Sequence, residues 1–178
     1  MVYVPTTYQI SPSSCHYYAS SSYICIIVGT RYTYCIMKKI LVINGPNLNL
    51  LGLREPALYG ARDFKALEAF VRDAAAELSL EVELFQSNHE GEIVDRIQAA
   101  YGVHDGILIN PAAYTHTSVA ILDALKAVAL PTVEVHLTDI STREKFRQFS
   151  FVSLYAQKTI CGKGFDGYKE GLEYLARL

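Results

Sequence analysis

The sequence predicts an α/β protein built on a five-stranded parallel sheet with helices on both faces. Three observations support this prediction. Short apolar runs of strand length recur along the chain, segments with a helical period separate them, and no internal repeat or linker interrupts the pattern after residue 37. Strands that alternate with helices in this way are typical of βαβ units, in which a parallel sheet is buried between helices.

The first half of this pattern contains two strands and two helices. Residues 39–43 are a continuous apolar run, as expected of a buried parallel strand. Residues 81–85 alternate between polar and apolar, as in a strand at a sheet edge, and residues 90–101 form a second helix that Gly102 ends. Asp63 can cap the first helix, whose apolar positions repeat with a helical period: Leu67, Phe70, Val71, Ala74 and Leu78.

The second half contains three strands, two helices and a helical turn. In chain order they are a strand at 106–109, a helix at 117–128, a strand at 132–136, a helical turn at 142–146, a strand at 157–161 and a closing helix at 166–178. Five strands in a domain of this length are typical of a flavodoxin-like, doubly wound sheet with the strand order 2-1-3-4-5.

The first 36 residues differ in composition from the rest of the chain. They hold seven of the 13 tyrosines, three of the four cysteines and one charged residue, Arg31. The cysteines lie ten residues apart, which matches no usual zinc site, and the segment lacks the combined features of a secretory signal. We therefore predict that residues 1–36 are an N-terminal extension, non-native or disordered, and that residues 37–178 form a single catalytic domain.

Composition limits the class of function. The 178-residue chain is 51% hydrophobic and 19% charged, and its net charge of −2 without a basic block argues against nucleic-acid binding. No apolar run approaches the roughly 18 residues that a membrane span needs. Outside the extension the sequence has one cysteine, Cys161, which fits a reducing compartment, and we expect a cytoplasmic location.

A long polar loop, residues 44–60, follows the first predicted strand. Loops of more than about a dozen residues are usually functional or disordered. This loop carries Asn47, Arg54 and Tyr59. The Arg54 charge could favour the phenolate form of Tyr59, which would then remove a proton beside a carbonyl. In the alternative interpretation the loop is only solvated, and Tyr59 packs or forms a hydrogen bond.

A second polar cluster follows the third predicted strand. Asn110 could hold a substrate hydroxyl, and Thr115 or Thr117 could cap the next helix, whose N-terminal amides suit an anion. His116 lies in the same turn. In the alternative interpretation the threonines and the histidine only cap the helix, and Asp123 lies on a solvated face.

The fourth strand ends in Glu134 and His136, which share one side of the strand. A carboxylate can fix a histidine's tautomer, so His136 is a candidate general acid, although a single histidine at a strand end is more often structural. Arg143 and Arg147 are one helical turn apart and could bind a substrate carboxylate or pair with acids at a subunit contact. The carboxyl ends of parallel strands meet at one edge, so all these residues should surround one small-molecule site.

Other chemistries have little support in the sequence. The chain lacks the glycine-rich phosphate loop of flavin or dinucleotide sites, and its five histidines form no close metal-ligand pair. Asn44 ends the first strand where a phosphoacceptor site would need a carboxylate, and Ser118 lacks the surroundings of a nucleophilic serine.

Several short motifs, in the right order, make the chain resemble the type II 3-dehydroquinate dehydratases over residues 39–178. They are NGPNLNLLG (44–52), REP (54–56), YG (59–60), QSNHEG (86–91), NPAAYTHTS (110–118), EVH (134–136) and REKFR (143–147). The resemblance implies a lyase that reversibly dehydrates 3-dehydroquinate to 3-dehydroshikimate, in the shikimate pathway of aromatic amino acid biosynthesis or in quinate breakdown. It implies no metal, no other cofactor, and a homo-oligomer that is typically a dodecamer of four trimers.

The resemblance also implies the chemical roles. Tyr59 would be the tyrosinate base that removes a proton beside the ketone, and Arg54 would favour both the tyrosinate and the enolate. His136, oriented by Glu134, would protonate the departing hydroxyl. Asn47 would help to position the catalytic water or the enolate oxygen.

The remaining matched residues would bind substrate. Asn110 and His116 would bind its hydroxyls, and the backbone amides of Leu137 and Thr138 would bind its carboxylate. Three charged residues would complete the substrate site. Arg147 would bind another polar group, Asp123 matches a substrate-site position that lies near a trimer contact in the family, and Arg143 matches a residue involved in closure of the loop after the first strand.

Three positions depart from the commonest pattern of that family. Thr138 stands where serine is usual, Asp139 where asparagine is common, and Leu122 where an arginine is frequent. The charge of Asp139 could weaken carboxylate binding modestly, and Leu122 puts the subunit contacts in doubt. Two further hypotheses stay open at this point: a non-enzymatic binding or assembly module that keeps the pocket, and another lyase that handles carboxylates.

Overall fold

The N-terminal part of the described chain contains three antiparallel strands. The structure is a computed structural model that describes residues 15–20, 23–28, 32–53 and 63–178, with side chains from residue 37 onward. The strands are β1 (Cys15–Ser20), β2 (Tyr23–Val28) and β3 (Tyr32–Met37), paired in the order β1-β2-β3. The sequence shows no sustained strand period here, but its tyrosines and β-branched residues favour strands. The interpretation of residues 1–36 as a non-native or disordered extension stays a prediction.

A second sheet of five parallel strands forms the centre of the molecule. Its strands are β4 (Lys39–Asn44), β5 (Glu81–Gln86), β6 (Gly106–Asn110), β7 (Thr132–His136) and β8 (Lys158–Cys161). Their order is β5-β4-β6-β7-β8, which confirms the predicted order 2-1-3-4-5 and the prediction that the second strand lies at an edge. All four pairings are parallel, as in a flavodoxin-like fold.

Four helices of the described chain cover the two faces of this sheet. They are α1 (Phe64–Glu77), α2 (Glu90–Ala99), α3 (Val119–Val128) and α4 (Asp166–Arg177). The apolar side chains of α1 and α4 pack on one face, and those of α2 and α3 pack on the other. Among the described residues, no helix combines the length and the apolar character that crossing a membrane requires.

The helix caps agree with the sequence in one case and differ in another. The Asp63 carboxylate accepts a hydrogen bond of 2.8 Å from the Ala66 amide, as predicted for the start of α1. The prediction that Thr115 or Thr117 caps the third helix is wrong. Ser118 is the cap, with its hydroxyl 2.9 Å from the Ile121 amide, because the Thr115 hydroxyl is bound to another residue, described below.

The predicted helical turn at 142–146 is also wrong in detail. The chain forms two short 3₁₀ turns, Ile140–Thr142 and Lys145–Arg147. Arg143 lies between them with an extended backbone, at φ −83° and ψ −178°. Arg143 and Arg147 therefore do not share one helical face, although they still reach the same pocket, as shown below.

The pleat of the sheet decides which face each strand residue meets. In β4, Ile40 and Val42 face α1 and α4, whereas Leu41 and Ile43 face α2 and α3. The same alternation applies to the polar residues that end the strands. Asn44 and Asn110, which are register partners, lie on the α4 side, and β7 turns its residues 134 and 136 to the opposite side.

The loops after β4 and β6 are held in close contact at Gly45. Its amide donates a 2.8 Å hydrogen bond to the Asn110 carbonyl. A Cβ atom at residue 45 would lie 2.5 Å from the carbonyl oxygen of Pro111, which is main chain and can move only with the loop. Only glycine permits this approach, so Gly45 brings the two polar loops of the sequence to one place.

We expect Gly45→Ala to destabilise the protein by about 1–3 kcal/mol, because the methyl group forces the Pro111 carbonyl away. The measurement is the urea unfolding midpoint. Gly91→Ala is the matched control, since nothing lies within 4 Å of its added methyl group, and alanine favours a helix. An equal midpoint for Gly45→Ala and the wild type would show that the contact is not needed.

Candidate active site

A cavity of about 130 Å³ lies at the carboxyl edge of β4, β6 and β7. Eight of the residues predicted from the sequence line it: Asn47, Asn110, His116, His136, Leu137, Thr138, Arg143 and Arg147. Its apolar lining comes from Pro46, Leu48, Leu51, Ala112, Ala113 and Ile140. The structure therefore gathers residues from three loops around one pocket, at the edge where the parallel sheet predicts a ligand.

A fully buried carboxylate, Glu134, stands behind this pocket. Its Oε1 accepts hydrogen bonds from Thr115 Oγ1 at 2.5 Å and Ser150 Oγ at 2.8 Å, and its Oε2 accepts from Thr159 Oγ1 at 3.1 Å. His136 Nε2 lies 2.7 Å from Oε1. A buried charge is stable only when it is paired and hydrogen-bonded, and here four donors meet that requirement.

The ionisation of Glu134 fixes the tautomer of His136. Burial would raise the pKa of the Glu134 carboxyl, but hydrogen bonds from His136, Thr115 and Ser150 outweigh burial and hold this pKa below its usual range. The group is thus a carboxylate at neutral pH, and His136 must donate through Nε2–H. Nδ1 is then the nitrogen that His136 can offer to a ligand in the pocket.

The tautomer of His116 follows from its neighbour in the same way. Its Nδ1 lies 2.8 Å from the carbonyl oxygen of Phe149, and a carbonyl can only accept, so Nδ1 carries the proton. Nε2 of the neutral ring is therefore an acceptor for a ligand hydroxyl. His116 ends the short 3₁₀ helix Ala112–His116, which places it at the pocket wall.

The amide of Asn110 is held on two sides. Its Oδ1 accepts from the Ala112 amide at 3.2 Å, and its Nδ2 donates to the Tyr168 hydroxyl at 2.8 Å. Tyr168 is completely buried and belongs to α4. Nothing in the sequence pattern distinguished it from an ordinary core tyrosine.

Two arginines supply positive charge on the far side of the pocket. Arg143 Nε and Arg147 Nη1 lie 3.7 Å and 3.5 Å from one carboxylate oxygen of Glu144. This exposed acid lies between the two arginines in sequence and holds both near the pocket that they line. A ligand carboxylate would find two guanidinium groups there, of the kind that suits bidentate binding.

The turn after β7 is anchored by two glycine amides. Gly162 donates to the His136 carbonyl at 3.2 Å, and Gly164 donates to the Leu137 carbonyl at 3.0 Å. Leu137 and Thr138 therefore lie in a fixed position on the pocket wall. Asp139 is exposed, does not line the pocket and accepts from the Ser141 amide at 2.9 Å, so its charge caps the next turn.

Asn47 has a left-handed backbone, with φ 66°, which asparagine tolerates better than most residues. The backbone N–H of Asn47 donates a 2.8 Å hydrogen bond to Asn88 Oδ1. The Tyr114 hydroxyl donates one of 2.8 Å to the backbone carbonyl of Asn88. Asn88 thus ties the turn at Asn47 to the 3₁₀ helix that carries His116. It lies in the QSNHEG motif, to which the sequence alone assigned no role.

Two described residues that were predicted for the site, Asp123 and Glu134, do not line this pocket, and two others lie outside the described residues. Asp123 is exposed on α3 and does not line it, whereas Arg54 and Tyr59 lie outside the described residues. The described chain on either side of them is close to the pocket. A Cβ at Gly52, where φ is +89°, would lie 3.2 Å from Asp63 Cα. The two described ends that flank residues 54–62 are therefore adjacent, next to Leu51, which lines the pocket.

The residues that sequence reasoning missed are mostly partners of predicted ones. Thr115, Ser150 and Thr159 satisfy Glu134, and Asn88 and Tyr168 hold Asn47 and Asn110. A buried acid at a strand end signals that donors must exist, but their positions depend on tertiary contacts. Of these residues only Asn88 could have been found from the sequence, because it lies in the QSNHEG motif.

The fold and the pocket are those of an α/β enzyme, with a histidine–carboxylate pair suited to acid–base chemistry and arginines suited to an anionic ligand. Comparison with known proteins makes the identity specific. Residues 38–176 match the family model described as Dehydroquinase class II. The chain therefore belongs to the class II dehydroquinase family, whose members are lyases.

Individual relatives agree with this membership. The chain is 57% identical over 134 residues to a 3-dehydroquinate dehydratase of Geotalea daltonii, covering 75% of this chain and 93% of that protein. It is 53% identical over 141 residues to catabolic 3-dehydroquinase 2 of Neosartorya fischeri, covering 79% and 94%. The crystal structure of type II dehydroquinase from Butyrivibrio crossotus superposes with a TM-score of 0.76 at 46% identity, covering 78% of this chain and 97% of that one.

The lowered pKa of Glu134 predicts how stability depends on pH. The unfolded carboxyl titrates near its usual value of about 4.3 and the folded one lower, so this stabilisation is complete above about pH 5. It is lost as the pH falls through the folded pKa. Glu134→Gln should therefore be much less stable than the wild type at pH 7, and the difference should shrink towards pH 3.

Urea unfolding midpoints between pH 3 and pH 7 measure this effect. Glu81→Gln is the control, because that side chain is 57% exposed at the opposite end of the strands. The control should follow the wild-type curve throughout. A stability difference between Glu134→Gln and the wild type that stays constant over this pH range would contradict the assigned ionisation.

Proposed function

We propose that this chain catalyses the reversible dehydration of 3-dehydroquinate to 3-dehydroshikimate through an enolate. The observation that carries the proposal is the hydrogen bond from His136 to the buried Glu134 carboxylate at the wall of a polar pocket. The pocket also offers amide, imidazole and guanidinium groups for a substrate rich in hydroxyls and bearing a carboxylate. The matched relatives, several of which are named as 3-dehydroquinate dehydratases, support the same reaction.

The acid half of the reaction follows from the His136 tautomer. In the imidazolium form both nitrogens carry protons, with Nε2–H on Glu134 and Nδ1–H available to the substrate. As the enolate collapses and the carbon–oxygen bond breaks, Nδ1–H gives its proton to the departing hydroxyl, which leaves as water. The ring is left neutral with Nε2–H still on the carboxylate, so no movement of Glu134 is needed.

We assign the base half to Tyr59, with Arg54 favouring its tyrosinate form and the developing enolate. Support comes from the flanking chain, since Gly52 and Asp63 meet beside pocket-lining Leu51. The proton that Tyr59 removes returns through solvent to His136 after water departs, which restores the starting state of both residues. Asn47 would position the catalytic water or the enolate oxygen.

The remaining pocket residues would hold the substrate. Asn110 and His116 would bind hydroxyls, and the amides of Leu137 and Thr138 would bind the carboxylate. Arg147 would bind another polar group, and Arg143 would act in closure of the loop that carries the base. None of these steps requires a metal or another cofactor.

We further propose a homo-oligomer, a dodecamer of four trimers, acting in the cytoplasm. Exposed apolar side chains support assembly: Val119, Phe146, Phe149 and Leu154. Asp123 lies one helical turn after Val119 on the exposed side of α3, so it can serve a substrate site only across a subunit contact. Some matched relatives are named as catabolic enzymes, and the names of others specify no pathway. Both biosynthesis and quinate breakdown therefore stay open as the role of this chain.

Adding 3-dehydroquinate to chelator-treated protein should produce the ultraviolet absorbance of a conjugated enone. Tyr59→Phe should abolish turnover because it removes the base, and His136→Ala should lower kcat more than it changes KM because it removes the acid, roughly a hundredfold or more. Circular dichroism and binding of an unreactive dehydroquinate analogue show whether each variant is folded.

The assay should be run on the full chain and on a shorter chain that starts at Met37. Equal activity supports the single catalytic domain at 37–178, and activity confined to the full chain would overturn that assignment. Normal turnover by Tyr59→Phe would remove Tyr59 from the mechanism. Binding of the analogue by wild-type protein without any turnover would refute the proposed activity.

Light scattering should give the full-length protein a mass of twelve chains. Val119→Asp should break the assembly and raise KM, because it places a charge in an apolar contact and displaces Asp123. Val103→Asp, at an exposed position at the amino edge of the sheet, should leave both unchanged. A monomer with full activity would exclude both the assembly and the role of Asp123.

A further inference from the structure

We propose that Tyr168 is a positioning residue for the reaction, whose buried hydroxyl fixes the orientation of the substrate-binding amide of Asn110. The inference rests on the proposed function, because that function makes the Asn110 amide a substrate ligand. Tyr168 lies on α4, outside every motif that identifies the pocket, and it does not line the pocket itself.

The Tyr168 hydroxyl bridges the ends of two neighbouring strands. It accepts a hydrogen bond of 2.8 Å from Asn110 Nδ2 and donates one of 2.7 Å to Asn44 Oδ1. Asn44 and Asn110 are register partners at the carboxyl ends of β4 and β6. One phenol therefore connects both amides on the α4 side of the sheet, next to the pocket.

This bridge allows only one orientation of the Asn110 side chain. Its Oδ1 already accepts from the Ala112 amide at 3.2 Å, and one Nδ2 hydrogen goes to Tyr168. A rotation of the amide by 180° would set its NH₂ group against the Ala112 N–H. It would also set Oδ1 against a hydroxyl whose proton is committed to Asn44. The second Nδ2 hydrogen therefore remains the donor that Asn110 can present to a substrate oxygen.

The surroundings of Tyr168 keep this arrangement constant. The side chain is completely buried among the apolar residues of the core that α1 and α4 form with the sheet. Burial raises the pKa of the Tyr168 phenol far above its usual range, so the hydroxyl keeps its proton and continues to donate to Asn44. A ring packed this tightly has one position, so its hydroxyl holds the Asn110 amide in a fixed orientation.

The test begins with Tyr168→Phe, which keeps the ring and removes the hydroxyl. We expect kcat/KM for 3-dehydroquinate to fall roughly tenfold to a hundredfold, since small misplacement of a binding group has effects of this size. Tyr155→Phe is the matched control. It also loses one phenol hydrogen bond, 3.1 Å to the Leu130 carbonyl, at a residue that does not line the pocket, and should keep wild-type kcat/KM.

A double variant separates positioning from a general structural role. If Tyr168 acts through Asn110, Tyr168→Phe should change kcat/KM less than twofold when Asn110 is already alanine. A further tenfold or greater loss in the double variant, or a wild-type kcat/KM in Tyr168→Phe alone, would overturn the proposal. Should Tyr168→Phe not fold, Asn44→Ala removes the acceptor of the hydroxyl proton and keeps the phenol, and its loss should likewise vanish in the Asn110→Ala background.

A second readout is independent of turnover. The side-chain NH₂ signals of Asn110 in ¹⁵N spectra, assigned by their absence in Asn110→Ala, should be slow to exchange with solvent in wild-type protein and fast in Tyr168→Phe. Wild-type protein without turnover would refute the proposed function, and the NH₂ signals would still decide the role of Tyr168. Unchanged exchange in the variant would refute that role even if the enzyme is active.

Discussion

The arrangement of the chain around the pocket depends on one interaction, the stabilisation of the buried negative charge of Glu134. Glu134 has no contact with water, and isolated in an apolar interior its carboxylate would be strongly unfavourable. Donors from separate parts of the chain meet it: Thr115 after β6, Ser150 before β8, Thr159 within β8, and His136 at the end of β7 itself. Satisfying this charge fixes the relative positions of these segments. The same hydrogen bonds leave His136 with one possible tautomer, so structural and chemical requirements coincide.

The pleat of the sheet places the proposed acid and the proposed substrate-binding amide on opposite faces of the sheet. His136 reaches it from the side of α2 and α3, whereas Asn110 reaches it from the side of α1 and α4. Both can line one cavity because the cavity lies beyond the last residues of the strands. The proposed acid, His136, and the proposed hydroxyl-binding amide of Asn110 are therefore supported by different apolar cores. Repacking of one core need not disturb the group that the other core supports.

Local patterns in the sequence were sufficient for the fold and for six of the residues that line the pocket, whereas Leu137 and Thr138 were predicted only from the family resemblance. Apolar runs and helical periods place every strand and helix of the five-stranded sheet within two residues at its start, and the polar strand ends mark the site. The remaining features depend on distant partners. Ser118 rather than Thr115 caps α3 because Glu134, 19 residues away, engages Thr115. Tyr168 lies 58 residues from Asn110, and no period distinguishes a tyrosine buried for its ring from one that also needs its hydroxyl.

The contact between Gly52 and Asp63 has a consequence for how such a protein can change. The chain leaves the described fold at residue 54 and rejoins it at residue 63 through two adjoining points, so the intervening residues are inserted at a single location. A loop whose two ends already adjoin tolerates changes of length well, because closing a longer loop costs little additional entropy. The described fold can therefore serve as a fixed scaffold that tolerates changes in the length of this one segment.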